Sequence, residues 1–400
     1  MSLNQTVSAE RTHIAFFGMR NAGKSSLVNA VTGQKLSVVS DVAGTTTDPV
    51  KKAMEILPLG PVLIIDTPGF DDVGSLGALR VEKTNEILAK TDIAVLVVDS
   101  AKGLSAQDEQ MIKLFEAREL PYIIAWNKSD VAKPADIGRN AVAVSALTGE
   151  GVNELKERIA AFGKKEERVI VADILPENAV VVLVMPIDES APKGRLILPQ
   201  QLVLRELLDY NCRAVCCQPS ELKGILDMLN AAPDMVITDS QVFGIVSQTV
   251  PREVPLTSFS ILMARYRGEL TSQIKGADTL KKLRDGDLVM ISEGCTHHRQ
   301  CRDIGSVKIP GWIEDFCGAK PKYVFTSGGG FPADVRADYP DLKLIVHCGG
   351  CMLPPAEMHS RALRAEAADV PMVNYGIAIA AMHGILKRSI EPIPEVRGMI

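Results

Sequence analysis

Short apolar runs alternate with amphipathic stretches in the first part of the chain, which is the pattern of strands joined by helical crossovers. The predicted strands are HIAFFG, VLIIDTPG, DIAVLVVDS, YIIAWNKSD and AVAVSALTG, and the predicted helices are SSLVNAVTG, AQDEQMIKLFEAREL and VNELKERIAAF. Such an order forms a mostly parallel sheet that is covered on both faces. We therefore predict an α/β domain over residues 1–165 and a charged linker, GKKEER, at 163–168.

The alternation continues beyond the linker in two further sets. In the first set AVVVLVMPID, RAVCCQ, DMVITDS and PLTSFSILM read as strands, and PQQLVLRELLDY and SELKGILDMLN as helices. In the second, DLVMISEGCTHH, KYVFTSGGGF, LKLIVHCGGC and PMVNYG read as strands, with helices at YRGELTSQIKGADTLKKL and IAIAAMHGIL. A chain of 400 residues also favours several cores. We predict two smaller α/β domains, over residues 170–265 and 266–400.

Composition and charge narrow the class of protein. Apolar content of 46% and charged content of 23% are typical of globular chains. A net charge of -5 gives no overall attraction to nucleic acid or to an anionic membrane, so neither is expected as a partner. The N-terminus has no apolar secretory stretch, and the apolar runs are too short to span a bilayer. We expect a cytoplasmic protein whose eight cysteines are thiols or metal ligands.

The segment GMRNAGKS follows a predicted strand, opens a predicted helix and matches G-x-x-x-x-G-K-S. In this P-loop pattern backbone N–H groups surround the phosphates, the lysine reaches the β and γ oxygens, and the serine supplies an oxygen to Mg²⁺. The pattern predicts a nucleotide site. Its residues are Gly18, Asn21, Ala22, Gly23, Lys24, Ser25 and Ser26.

Three later motifs indicate that the nucleotide carries guanine. Asp66 of DTPG is placed to hold the Mg²⁺ water shell, and the amide of Gly69 to sense the γ-phosphate. Asp130 of NKSD can accept from guanine N1–H and the exocyclic amine, which adenine does not offer. The base-binding set is completed by Asn127 and Lys128, and by Ser145 and Ala146 at guanine O6.

These motifs resemble the GTPases of the TrmE and Era group, whose switch I typically reads G-T-T-R-D. Here the segment 44–48 reads GTTTD, so that Thr47 replaces the arginine. The resemblance implies that Thr46 binds Mg²⁺ and that Asn21 binds K⁺, which stimulates hydrolysis. Phe70 stands where Ras-like proteins carry a water-orienting glutamine, so we expect slow hydrolysis without a cation or dimerisation. The predicted catalytic residues are Lys24, Thr46, Asp66 and Gly69.

Two sulfur-rich segments leave the ends of predicted strands in the last domain. CTH places Cys295 and His297 after LVMISEG, and HCGGC places His347, Cys348 and Cys351 after LKLIV. In open α/β sheets this edge is where ligands bind, so the two segments can converge. The residues alone leave open a structural Zn²⁺ site, a redox C-x-x-C, and an iron-sulfur cluster on Cys295, Cys348 and Cys351.

The spacing C-x-H, 49 residues, H-C-x-x-C, behind a GTPase domain and a middle α/β domain, resembles the HydF family of FeFe-hydrogenase maturation GTPases. The resemblance implies a 4Fe-4S cluster on Cys295, Cys348 and Cys351. It also implies a scaffold that receives a diiron precursor from two radical-SAM partners and passes it to apo-hydrogenase, and a middle domain that forms a homodimer, with a tetramer as the alternative. His297 and His347 are candidates either for the fourth ligand or for hydrogen bonding to the cluster.

Two other functions compete with this interpretation. A ribosome-assembly or tRNA-modification GTPase with a structural Zn²⁺ site would have the same first domain, but predicts a basic tail with exposed aromatics. The chain holds 4% aromatic residues and has no dense basic run after residue 270. A GTP-dependent chaperone for another metal would differ in metal and partner alone.

Several further residues have side chains that could act as ligands. Buried thiols are the preferred interpretation of Cys212, Cys216 and Cys217, since adjacent strand residues face opposite ways. Solvent-near loop positions are expected for Cys301 and Cys317, and non-ligand roles for His359 and His383. Candidate oxygen ligands are Glu293 and Asp303, and the segment 327–330, SGGG, is predicted to form a third loop at the same sheet edge.

Overall fold

The structure is a computed structural model, which describes most of the chain. The described ranges are 11–33, 50–57, 59–68, 84–134, 137–138, 140–162, 169–187, 196–294, 304–350 and 353–400. These residues form two compact units, the first within 11–162 together with 354–357, and the second within 169–353 and 358–400.

The first unit is built on a six-stranded sheet in the order β2-β3-β1-β4-β5-β6. The strands are β1 (Thr12–Phe17), β2 (Val50–Ile56), β3 (Gly60–Asp66), β4 (Ile93–Asp99), β5 (Tyr122–Asn127) and β6 (Ala141–Ala143). All pairs are parallel except β2 with β3. The antiparallel edge strand β2 was not predicted, because VKKAMEI alternates charged and apolar residues without the apolar run of the other strands.

Both faces of this sheet are covered, as the alternation predicted. In β1, Ile14 and Phe16 enter one apolar cluster, and Ala15 and Phe17 enter a second one on the opposite face. The helices of this unit are α1 (Lys24–Thr32), α2 (Ala106–Ala117) and α3 (Val152–Ala161), and residues 84–88 are also helical.

The second unit contains two four-stranded parallel sheets. Their orders are β10-β9-β7-β8 and β12-β11-β13-β14. The first consists of β7 (Val180–Val184), β8 (Arg213–Cys217), β9 (Met235–Thr238) and β10 (Leu256–Ser258), and the second of β11 (Leu288–Glu293), β12 (Lys322–Ser327), β13 (Leu342–His347) and β14 (Met372–Asn374). The fold class predicted from sequence, a P-loop GTPase domain followed by further α/β sheets, is confirmed.

Helices separate the strands of the second unit. They are α4 (Leu198–Asp209), α5 (Leu222–Met228), α6 (Phe243–Thr249), α7 (Phe259–Tyr266), α8 (Leu270–Ala277), α9 (Ile309–Cys317), α10 (Val335–Asp338), α11 (Pro355–Ala367), α12 (Tyr375–Met382) and α13 (Leu386–Ile390). The prediction that PLTSFSILM is one strand was wrong beyond Ser258. There the Ser258 side chain accepts a hydrogen bond from the Ile261 N–H, and this cap starts α7.

The two sheets of the second unit contribute to one continuous apolar core. Val182 and Ile237 from the first sheet and Val289 from the second belong to the same buried cluster, together with Ile377 in α12. Residues 375–380 of α12 are all buried, so this helix is apolar around its circumference. The predicted boundary between two domains at residues 265 and 266 therefore stays a prediction. Among the described helices, none has the length and apolarity required to cross a bilayer.

Candidate functional site: a nucleotide site and a cysteine loop

Backbone shape accounts for the two outer glycines of the P-loop between β1 and α1. Gly18 and Gly23 have φ values of 147° and 87°. A Cβ at Gly18 would lie 2.3 Å from the Val97 carbonyl oxygen, and one at Gly23 would lie 2.3 Å from Asn127 Nδ2. These positions require glycine because a side chain would collide with the neighbouring strand ends.

Lys24 lies at the first position of α1 and folds back over the loop. Its Nζ donates to the carbonyl oxygens of Gly18 and Met19, both at 2.8 Å, and the residue is 7% exposed. The ammonium group is thus held at the centre of the loop, where the P-loop pattern places the phosphates.

Asp66 ends β3 beside the P-loop and carries a carboxylate oxygen suited to a cation. Ser25 hydrogen-bonds this carboxylate. Its Oδ1 is buried and has no hydrogen-bond partner within the described ranges. Burial raises the pKa of Asp66, against the opposing effects of Ser25 and of the Lys24 and Lys52 charges. An orphaned carboxylate oxygen next to a serine hydroxyl fits the hard oxygen ligands that Mg²⁺ requires.

Asn127 connects three of the predicted motifs. Its Nδ2 donates to the Ala22 carbonyl at 2.9 Å, and its Oδ1 accepts from the Ala146 N–H at 3.1 Å. The side chain is buried at the end of β5. Both ends of one amide therefore hold the P-loop and the Ser145-Ala146 segment in register.

Lys128 crosses the P-loop and meets a residue that the sequence analysis missed. Its Nζ donates to the Asn21 carbonyl at 2.9 Å and to Asp99 Oδ2 at 2.6 Å. Burial opposes ionisation of Asp99, but the hydrogen bonds from Lys128 and from the Ala101 N–H outweigh it and lower the pKa of Asp99. Asp99 ends β4 at the same sheet edge as the motifs, and that position in DIAVLVVDS was the available signal.

Asp130 is exposed, and its Oδ1 accepts a hydrogen bond of 2.6 Å from Ser145 Oγ. The structure thus brings together the predicted base-binding residues of the two segments after β5 and β6. Thr46, Gly69 and Phe70 lie outside the described residues, so the structure does not test their roles.

A second candidate site lies at the carboxyl edge of the sheet that contains β11, β12 and β13. It is the cysteine loop, whose described residues are Cys348, Gly349 and Gly350 after β13. Cys348 follows β13, and its Sγ accepts from the Gly294 N–H at 3.0 Å and from the Gly350 N–H at 3.4 Å. Backbone donors favour a thiolate, which is the form that binds metal. Gly350 has φ 60°, and a Cβ there would lie 2.5 Å from Met358 Sδ. The glycine is therefore needed for the bend.

His347, the last residue of β13, is fully buried and uses both ring nitrogens. Arg361 Nη1 lies 3.0 Å from Nε2, and Nδ1 lies 2.6 Å from the Cys348 carbonyl oxygen. Since arginine can only donate, Nε2 accepts and Nδ1 carries the proton. Burial lowers the pKa of His347 to about 3, and the charges of Arg361 and Arg267 act in the same direction. This arrangement favours hydrogen bonding over metal ligation for His347.

Arg361 in α11 is the buried support of this edge. It is 1% exposed, its Nη2 donates to the Gly328 carbonyl at 2.6 Å, and its guanidinium lies 5.1 Å from the centre of the Phe331 ring. Ser327 pairs with Glu293 in the register of β12 and β11. The segment 327–330 therefore does follow a strand at the predicted edge, and Arg361 joins it to His347. No sequence motif marks Arg361.

The other predicted ligands divide between described and undescribed residues. Cys295, His297, Cys351, Cys301 and Asp303 lie outside the described ranges. Within those ranges no group of three His, Cys, Asp or Glu side chains could hold a metal ion. The chemistry of Cys348, a sulfur with two backbone donors, fits a cluster ligand.

The remaining candidates behave mostly as expected, but Cys317, which was expected in a solvent-near loop, is the half-buried last residue of α9 and packs against the core. Cys212 and Cys217 are buried, whereas Cys216 is exposed, so the interpretation of all three as buried thiols was wrong for Cys216. Its side chain points away from the core because neighbours in β8 alternate. His359 and His383 are both exposed.

Comparison with protein families divides the chain in the same order. Residues 13–128 match the 50S ribosome-binding GTPase family. Residues 170–268 match the hydrogen maturase F dimerization domain, and residues 271–392 match the hydrogen maturase F tetramerization domain. The two maturase matches together cover more than half of the chain. The chain belongs to the hydrogen maturase F family.

The curated relatives that match this chain include several GTPases. The tRNA modification GTPase MnmE of Chromobacterium violaceum is 35% identical over 156 residues, which are 38% of this chain and 34% of that protein. GTPase Der of Kosmotoga olearia is 29% identical over 237 residues, 53% of each chain. The chain thus spans between a third and about half of the length of these relatives.

Solved structures show weaker likeness. Era of Aquifex aeolicus bound to GDP and AlF4⁻ is 20% identical, with a TM-score of 0.35 over 52% of this chain and 92% of that chain. A TM-score this low does not support an assignment of function. The family matches, and the geometry of the P-loop edge, are therefore the basis for assigning function.

Proposed function

We propose that this protein is a GTP-hydrolysing scaffold that matures FeFe-hydrogenase by carrying a diiron precursor at a 4Fe-4S-binding domain. The observation that carries the proposal is the order of modules, a P-loop GTPase domain followed by two hydrogen maturase F domains. The ribosome-assembly and tRNA-modification alternatives are less well supported, since the relative named as a tRNA modification GTPase aligns with 38% of this chain, whereas the two maturase domain matches cover more than half of it.

Nucleotide binding is assigned to the edge built by the P-loop and the segments after β3, β5 and β6. Lys24 and the backbone N–H groups of the loop hold the phosphates, and the exposed carboxylate of Asp130 binds the guanine edge. Asn127 keeps these parts in register through its bonds to Ala22 and Ala146. Catalysis by these residues consists of positioning the phosphates and stabilising charge.

Mg²⁺ would be held by Ser25, Asp66 and Thr46, of which the first two are hydrogen-bonded to each other. When bound, the ion neutralises charge that develops on the phosphate oxygens. The orphaned Oδ1 of Asp66 supports this role, and the amide of Gly69 is assigned to the γ-phosphate.

K⁺ stimulation is assigned to Asn21, whose backbone is fixed by the Lys128 bond to its carbonyl. The test compares GTP turnover in K⁺ and in Na⁺ at equal ionic strength. We expect faster turnover in K⁺ and loss of that difference in Asn21→Ala. Equal turnover of the unaltered protein in both salts would disprove the assignment.

The cluster is assigned to Cys295, Cys348 and Cys351. When bound, it offers an iron with an exchangeable position at which cargo can attach. The Gly294 and Gly350 N–H groups hold the Cys348 sulfur in place for it. Apo-hydrogenase and two radical-SAM enzymes are the proposed partners, and the dimerization and tetramerization modules support self-association.

The deciding experiment is the iron, sulfide and zinc content of anaerobically purified protein, with EPR spectra after reduction. We expect about four irons and four sulfides per chain, lost in Cys348→Ser and retained in the matched control Cys317→Ser. One zinc without sulfide would instead indicate a structural Zn²⁺ site. Activation of apo-hydrogenase by the loaded protein, and its absence with Cys348→Ser, tests delivery.

A further inference from the structure

Arg267 contacts the cysteine loop although no motif includes it. It is the residue that directly follows α7, close to the point where the dimerization match ends at 268. Its Nη1 donates to the Gly349 carbonyl, and its Nη2 donates to the Gly350 carbonyl at 2.9 Å. One planar guanidinium therefore holds two successive carbonyls of the segment HCGGC.

The first of these bonds sets the direction of a donor to sulfur. The Gly349 carbonyl and the Gly350 N–H belong to one planar, trans peptide, so they point in opposite directions. Because Arg267 fixes the carbonyl on one side, the N–H is turned to the other side. There it donates to Cys348 Sγ.

The arginine also contributes charge close to that sulfur. A guanidinium remains protonated at all working pH values, and its bond to the Gly349 carbonyl polarises the peptide so that the N–H becomes a stronger donor. Arg267, Cys348 and Gly349 line the same small cavity beneath the loop. A positive charge at this place favours added negative charge on a cluster held by Cys348.

We propose that Arg267 is a positioning residue for the cysteine loop, acting through the Gly349-Gly350 peptide, and that its charge raises the reduction potential of the bound cluster. The second half of the proposal rests on the proposed 4Fe-4S function, while the first half does not. In this arrangement a residue of the middle family module shapes the metal loop of the last one.

Two substitutions separate geometry from charge. Arg267→Gln removes the charge and the double hydrogen bond, whereas Arg267→Lys keeps the charge but cannot hold both carbonyls in one plane. The matched controls are Arg284→Gln and Arg284→Lys, because Arg284 is an exposed arginine of the same unit. All variants are made in the full chain.

Hydrogen exchange on the metal-free protein tests the positioning. Peptides that contain Gly349 and Gly350 should exchange about 10-fold faster in both Arg267 variants, as the loss of one hydrogen bond would give. Peptides from β12 serve as the internal control for folding. Unchanged exchange at the loop in both variants would overturn the positioning role, whether or not the protein binds iron.

Redox titration and chelator capture of iron test the second half. We expect a lower midpoint potential in Arg267→Gln but not in Arg267→Lys, and iron loss to a chelator about 10- to 100-fold faster in both. Equal potentials in the unaltered protein and Arg267→Gln would overturn the charge effect. An unaltered protein that binds no iron and sulfide would refute the proposed function and the charge effect that rests on it. The hydrogen-exchange result alone would then decide whether Arg267 positions the loop.

Discussion

The nucleotide site and the cysteine loop both lie at the carboxyl edge of a parallel sheet, but they are held in different ways. In the first, the motifs support one another, as when Asn127 bonds Ala22 and Ala146, and Lys128 bonds Asn21. In the second, His347 and the glycines are held by Arg361 and Arg267, which belong to no motif. The nucleotide site can thus be recognised from local sequence motifs, whereas the cysteine loop depends on arginines that lie far from it along the chain.

The largest effect should come from removing the P-loop ammonium. Lys24→Ala leaves the phosphates without their central charge, so GTP turnover should fall about 100- to 1,000-fold. Steady-state phosphate release measures this. Lys113→Ala, on the exposed side of α2, is the matched control and should leave turnover unchanged. A fall of less than about 10-fold would mean that the P-loop is supported differently from our account.

The counterpart at the cysteine loop is Arg361→Met, which keeps bulk but removes the guanidinium. The His347 Nε2 and the Gly328 carbonyl then lose their donor inside the fold. We expect the free energy of unfolding of the second unit to fall by about 3 kcal/mol. Urea unfolding measures this loss, and hydrogen exchange of the β13 amides at each urea concentration reports on the second unit.

Arg284→Met is the exposed control for this substitution and should change stability little. If Arg361→Met and Arg284→Met had equal stability, Arg361 would not stabilise this sheet edge. The nucleotide site and the cysteine loop would then not differ in the way that we infer.

A smaller effect is expected at the residue missed by sequence. Asp99→Asn weakens the bond that holds Lys128 across the P-loop, so the Kd for GDP should rise about 10-fold. A double-mutant cycle with Lys128→Met provides the control, because the two changes should be far from additive if they act through one pair. Additive losses in binding free energy would contradict the coupling.

The smallest effect concerns Glu269, a buried carboxylate near the cysteine loop. Burial raises the pKa of Glu269 above its usual 4.5, against the Arg267 charge and the Gln273 hydrogen bond. Between that usual value and the raised one, the folded state binds more protons than the unfolded state. Stability is therefore lost as the pH rises through this window.

Glu269→Gln removes that penalty and should stabilise the protein by about 1 kcal/mol near pH 8, and by almost nothing near pH 4. Urea unfolding at both pH values measures it. Glu177→Gln, an exposed control, should show no such pH dependence. A destabilised Glu269→Gln at high pH would reverse the sign that we infer.

The sequence was sufficient to predict residues whose chemistry and local backbone geometry both belong to one motif. Gly18 and Gly23 could be recognised from the sequence because their backbone has positive φ and packs against a strand end, where a side chain would collide. Five strands of the GTPase sheet could be predicted from their apolar runs, but β2 could not, since its alternation of charged and apolar residues resembles an exposed loop.

The cysteine edge could be predicted from sequence in part. Strands β11, β12 and β13 were predicted, and because they are parallel their carboxyl ends meet at one edge, where Cys348 and the segment 327–330 follow. Cys295, His297 and Cys351 lie outside the described residues, so their predicted places at this edge stay predictions. Arg361 and Arg267 could not be predicted, because their partners lie 14 and 82 residues away along the chain. Contacts of that kind are determined by tertiary packing rather than by local pattern.

The shared core of the second unit has a consequence for synthesis. The first unit has its own apolar clusters and can fold while the remainder is still being translated. In contrast, the strands from β7 onward share a core with α12, which follows all of them along the chain. Those strands cannot complete their core until α12 has left the ribosome, so we expect chaperones to bind their apolar faces during expression.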